Sequence, residues 1–177
     1  MDPRQFWQLI DQSKAASEGD CARQADALTM LLLELPATDI MAFDRLFDQY
    51  ADQAYRNDLW AAAYIIQGGC SDDGFEYFRR WLIGQGEAVY TAALRDPESL
   101  LSVVTSHFED APFLRFEDAP FLRFECESLG YVAGQAYERK TGSVMPHPPR
   151  PKAELTGEDW DDEDLPAMFP KLWAVFE

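Results

Sequence analysis

Apolar residues recur along most of the chain at three- and four-residue spacing, the period of helices that turn one face inward. Asp2 followed by Pro3 suits a helix start, and Phe6, Leu9 and Ile10 carry the rhythm until it breaks near Ser17 to Gly19. Asp20 is placed to cap a second helix, in which Ala22, Ala25, Leu28, Leu32 and Leu35 repeat until Pro36 stops it. Thr38 is expected to cap a third, with Ile40, Phe43, Phe47 and Tyr50 on an inner stripe and Asp39, Asp44 and Asp48 on the other side. Asn57 or Asp58 is expected to cap a fourth, Leu59 to Ile66, which is apolar on every face and belongs at the centre.

Gly68 and Gly69 end that helix. Beyond them Asp73 and Glu76 have capping-box spacing, and Phe75, Phe78, Trp81 and Leu82 give a fifth helix one apolar stripe before Gly84 and Gly86. Two shorter helices follow, Glu87 to Leu94 and one opened by Asp96, Pro97 and Glu98. The segment EDAPFLRF at Glu109 to Phe116 then recurs unchanged at Glu117 to Phe124. Its period is far below the ~20 residues of a solenoid unit, and Pro112 and Pro120 forbid one continuous helix, so it reads as a duplication in a surface loop. From Glu125, Leu129, Val132, Ala133, Ala136 and Tyr137 resume helical spacing as far as Lys140 and Gly142.

The pattern then changes. Ser143 to Pro166 holds five prolines and an acidic run, the composition of an extended strap, and Phe169, Leu172, Trp173 and Phe176 are expected to dock its end on the core. The expected architecture is mostly α. It is a single multi-helix domain over residues 1–177, with a helical core at about 2–142 and a strap and docking tail at about 143–177.

Composition supports a real core: five Trp, twelve Phe and seven Tyr in 177 residues supply large apolar bodies. Charge changes the picture more. Thirty-two Asp and Glu against 15 Lys and Arg leave a formal net charge of −17, which repels nucleic acid and anionic lipid and either serves solubility alone or favours cations or a protein partner with a basic surface. The opening MDPRQFWQLID lacks the basic and apolar regions of a secretory leader, and the apolar run Trp60 to Ile66 is far short of the ~20 residues of a membrane span. Cys21, Cys70 and Cys126 are odd in number and unclustered, which suits reduced thiols in a bacterial cytoplasm better than a disulfide framework. The oligomeric state is left open.

Candidate chemistry gathers at Cys70, Ser71, Asp72 and Asp73, just ahead of the fifth helix, where unpaired amides and the helix dipole favour negative charge. Ser71, Asp72 and Asp73 are also the residue types that cap helices, and Glu76 can pair with Arg80 four residues on. Cys70 is a conceivable nucleophile, with His107 and His147 the only histidines available as bases and neither in a committed arrangement. Arg79 borders the Phe75 and Leu82 stripe and can either form an internal salt bridge or reach a ligand. Adjacent Asp72 and Asp73 supply too few ligands for calcium or magnesium, the run Glu158 to Asp164 reads as a solvated face, and the Cys and His residues have no zinc spacing. No metal and no cofactor are expected, since phosphate-loop, dinucleotide, nucleophile-elbow and zincin motifs are all missing.

The segments FWQLI at Phe6, DLWAAAYIIQGGCSDDGFEYFRRWLIGQG from Asp58, YVAGQAYERKTG from Tyr131 and FPKLW from Phe169 together resemble a bacterial family known as domain of unknown function 4240. The resemblance brings no activity, substrate or site residue with it, and the duplicated EDAPFLRF departs from the family pattern. The functional expectation is a non-enzymatic cytosolic protein that binds a protein partner, as an accessory or immunity-type factor. The alternative is an enzyme or small-ligand-binding domain built on the Cys70 to Asp73 turn with Arg79. Convergence of those side chains on an open pocket would favour the second.

Overall fold

The computed structural model describes residues 1–109 and 124–176, and every regular element among them is helical. In chain order these are α1 (Pro3–Ala15), α2 (Cys21–Leu33), α3 (Ala37–Gln53), α4 (Asn57–Gln67), α5 (Asp72–Gly84), α6 (Glu87–Arg95), α7 (Leu100–Glu109), α8 (Val132–Thr141), α9 (Leu165–Met168) and α10 (Pro170–Phe176). Short 3-10 turns at Pro97–Ser99 and Glu127–Tyr131 lead into α7 and α8. Apart from Glu109 and Phe124, the EDAPFLRF duplication lies outside the described residues.

The mostly α architecture follows from the patterned stripes. On α1 and α3, Phe6 stacks on Phe43 at 4.8 Å between ring centres, and Trp7 meets Tyr50 at 4.7 Å. Tyr90 of α6 closes this aromatic cluster, its hydroxyl donating to the Tyr50 carbonyl at 2.7 Å, and its burial raises the phenol pKa. In α4, Leu59, Ala61, Ala62, Ala63, Ile65 and Ile66 are all buried, as its continuous apolar run predicts. Phe75, Phe78, Trp81 and Leu82 of α5 are buried too, and Phe75 stacks on Trp60 at 5.0 Å. Helix α8 packs against α2 and α3, and α5 against α1 and α3.

Helix starts differ in detail from expectation. Asp2 and Asp20 cap α1 and α2 as expected, accepting from the amides of Gln5 and Arg23. Helix α3 begins ahead of Thr38, with Pro36 at the N-cap and no side-chain cap, because the Pro36 carbonyl already takes the amides of Asp39 and Ile40. Arg56, not Asn57 or Asp58, is the N-cap of α4, and the Asp58 carboxylate accepts from the Arg56 guanidinium and the Leu59 amide. At α5 the cap is Ser71, whose hydroxyl accepts from the Gly74 amide at 3.1 Å; Glu76 is drawn off to Arg80, so the Asp73 and Glu76 box does not form. Gly68 ends α4 at φ 62°, a left-handed conformation that a side chain would oppose.

The cysteines require a correction. Cys21, at the start of α2, and Cys126, ahead of α8, form a disulfide with Cα atoms 5.6 Å apart, so two of the three expected thiols are paired. The reason is topological: α8 returns along α2 and carries residue 126 back beside residue 21. The expected helix from Glu125 also starts later, at Val132. Before it, the Cys126 amide donates to the Tyr77 carbonyl at 3.0 Å and Arg80 donates to the Glu127 carbonyl at 3.0 Å, which ties this stretch to α5.

The strap behaves as its prolines predict. Residues 144–155 have no regular structure and cross the open side of α3. Thr156 then forms an isolated parallel bridge with Arg56, the Asn57 amide donating to the Thr156 carbonyl at 2.8 Å and the Thr156 amide to the Tyr55 carbonyl at 3.2 Å. The tail docks on α4, with Phe169 and Leu172 buried and Trp173 partly so. The Lys171 amide and ammonium both reach the Glu98 carboxylate, at 2.6 and 3.2 Å.

Candidate functional site

Between α3, α5, the turn before α8 and the strap lies a cleft of about 460 Å³. Its floor is apolar, from Phe43, Phe47, Val132 and Ala133, all buried core residues. Its walls are charged.

Helix α3 contributes Asp44, Asp48 and Asp52, four residues apart and therefore on one face. The strap lays His147 and Arg150 over this ladder. His147 Nδ1 is 3.5 Å from Asp44, Arg150 Nε is 3.3 Å from Asp48, and Arg150 Nη1 bonds Asp52. Burial and the neighbouring Asp48 charge raise the Asp44 pKa, with His147 and Arg150 opposing. Burial likewise raises that of Asp48, against the pull of Arg150.

Helix α5 forms the facing wall with Asp72, Asp73, Glu76, Arg79 and Arg80. Among the described residues, no basic group lies within 4.0 Å of Asp72 or Asp73. Arg79 is not in the expected internal salt bridge. Its Nη1 donates to the Ala51 carbonyl at 2.7 Å, in the last turn of α3, and its guanidinium lies 4.6 Å above the Tyr55 ring and 5.3 Å from that of Phe75. Its Nε is buried without a hydrogen-bond partner, and burial lowers the pKa of the group. Arg80 pairs with Glu76, as the four-residue spacing predicts, and reaches across to the Glu127 carbonyl. Gly130 makes that reach feasible: a Cβ there would lie 2.4 Å from Arg80 Cζ.

The structure thus brings Asp72, Asp73 and Arg79 together and leaves Cys70 and Ser71 off the cleft. The Cys70 carbonyl accepts from the Trp60 indole at 3.0 Å and its sulfur from Gln67 at 3.6 Å, both contacts back toward α4. Ser71 serves as the α5 cap. His147 is engaged with Asp44, and the His107 side chain lies outside the described residues. Among the described residues, no His, Cys, Ser or Thr lines the cleft. Among the described residues, no group of three or more His, Cys, Asp or Glu is placed to hold a metal, and no helix is long and apolar enough to cross a membrane.

Sequence reasoning did not reach Asp52, Arg150 and Lys152, nor the joint role of Asp44 and Asp48. The available signal was the repeat of aspartate every fourth residue of α3 together with the one basic stretch of the strap, HPPRPK.

A family model described as a protein of unknown function, DUF4240, matches residues 1–139. The chain belongs to that family. The match takes in α1 to α7 and most of α8, and with them the α3 and α5 walls of the cleft. The strap wall and the FPKLW segment that also suggested the resemblance lie beyond the matched residues. No curated protein and no solved structure matches the chain.

Proposed function

We propose that this DUF4240 protein is a non-enzymatic binding module that takes a basic segment of a partner protein into the cleft between α3 and α5. The observation that supports this most is the charge left over there. Of the four basic residues lining the cleft, Arg79 is committed to the Ala51 carbonyl, Arg80 to Glu76, and Arg150 to Asp48 and Asp52, while Lys152 is in no ion pair among the described residues; Asp72 and Asp73 have no basic group within 4.0 Å among those residues. A net charge of −17 draws a basic partner to such a site from a distance, and the apolar floor rewards the aliphatic stems of Lys and Arg.

Asp72, Asp73 and Arg79 converge on the cleft, which supports a site that binds a ligand, while Cys70, the candidate nucleophile of the enzyme alternative, is not among the residues lining it. The argument for a cytoplasmic setting loses its thiol support, because Cys21 and Cys126 are bonded.

The test is binding of fluorescent arginine- and lysine-rich peptides to the full chain at low and high salt, with acidic peptides as controls. Basic peptides should bind, weaken as salt rises, and lose at least about tenfold in affinity in an Asp72→Lys, Asp73→Lys double variant. Equal binding of acidic and basic peptides, or indifference to the double substitution, would overturn the reading.

A further inference from the structure

We infer that Pro146 to Lys152 of the strap is a displaceable cover on the α3 side of this cleft, which it walls through Arg150, Pro151 and Lys152, and that the partner segment it gives way to is a cationic stretch whose basic residues are spaced by prolines. The inference rests on the binding role proposed above and adds the chemistry of the partner and the device that regulates access.

The strap is chemically the kind of segment the cleft is suited to hold. Pro146, Pro148, Pro149 and Pro151 alternate with His147, Arg150 and Lys152. Proline has no amide proton to donate, and among the described residues the backbone from Pro146 to Ala153 makes no backbone hydrogen bond to another element. Register is therefore set by side chains: His147 against Asp44 and Arg150 across Asp48 and Asp52. A proline-rich stretch is already extended before it docks, so seating it costs little conformational entropy.

The same contacts are weak enough to exchange. The Arg150 side chain is 51% exposed and that of His147 61%, so the Arg150 ion pairs are screened by salt and both contacts are open to competition. The ends of the segment are held separately, by buried Met145 on one side and by the Thr156 bridge to Arg56 on the other. The intervening residues can lift from α3 without undocking the tail. Where a bound segment is fixed at both ends and held in the middle by exposed basic side chains, a competitor of the same charge pattern can replace the middle. The apparent affinity of that competitor falls in proportion to the time the strap is seated.

The test uses the full chain and one labelled probe, the peptide VMPHPPRPKAE that reproduces residues 144–154. Arg150→Glu sets a carboxylate against Asp48 and Asp52 and should unseat the strap in cis, so the variant should bind the probe about tenfold more tightly than the natural chain. Arg150→Ala should move the affinity in the same direction by less, which guards against a folding defect in either variant. Asp48→Lys should abolish probe binding while leaving Asp72 and Asp73 in place. Equal probe affinity in the natural chain and in both Arg150 variants would overturn the strap as the cover of Asp48 and Asp52, even where other basic peptides bind through Asp72 and Asp73. Failure of every basic peptide to bind any of these chains would overturn the binding role and this inference together.

Discussion

At Asp44, burial and the charge of Asp48 oppose ionisation more strongly than His147 and Arg150 assist it. Its pKa is raised above the ordinary value of 3.8, so the fold favours the protonated form. That contribution is complete below the unfolded value and is lost as pH rises through the folded one, so at neutral pH the ionised carboxylate is a net cost. Asp44→Asn should therefore stabilise the protein at pH 7, by less than about 1 kcal/mol, although it removes a contact to His147. The advantage should shrink toward pH 4, which urea unfolding of both chains at the two pH values will measure; a less stable variant at pH 7 would contradict it. Arg79 illustrates the limit of reading residues singly. Its placement beside an apolar stripe was visible in the sequence, but its partners, the Ala51 carbonyl and the Tyr55 ring, belong to α3 and its exit, two helices back, which only packing brings near.

At the scale of elements, the helical stripes were legible because burial of one face imposes its period on the sequence, as Phe75, Phe78, Trp81 and Leu82 show on α5. Caps were less legible, because several residues in a row can serve. Asp73 and Glu76 satisfied a spacing rule, yet Ser71 lies one residue before the first helical turn with its hydroxyl on the Gly74 amide, and Arg80 competes successfully for Glu76. Ser71→Ala should cost about 1 kcal/mol of stability and Ser71→Asp much less, since aspartate also caps. Chemical denaturation of the two variants measures the difference. An equal loss in both would move the cap elsewhere.

For the molecule as a whole, the disulfide ties the start of α2 to the approach of α8 across a sequence separation of 105 residues. Its neighbourhood bears on the cleft, because the turn that follows Cys126 carries Gly130 and accepts from Arg80 at Glu127. Cys126→Ser should destabilise the chain by about 2–5 kcal/mol in urea unfolding, and reducing the natural protein should reproduce the loss. Cys70→Ser should leave stability nearly unchanged, since its thiol is outside the bond. Insensitivity of the natural protein to reductant would show that the bond contributes nothing to the fold.

The sequence by itself determined the helices, the central place of α4, the break at Gly68 and the extended strap, because periodicity, glycine conformation and proline geometry are local properties. The tertiary structure alone decided that Cys21 meets Cys126, that Arg79 serves a helix end, and that His147 and Arg150 of the strap lie over Asp44, Asp48 and Asp52. Each of these joins residues from separate elements, and their meeting depends on how the helices pack, which no spacing along the chain encodes. The Gly68 to Gly86 segment was legible as a helix start with acidic residues. Its division, with Asp72, Asp73 and Arg79 on the cleft and Cys70 and Ser71 off it, was set by the direction in which α5 faces α3.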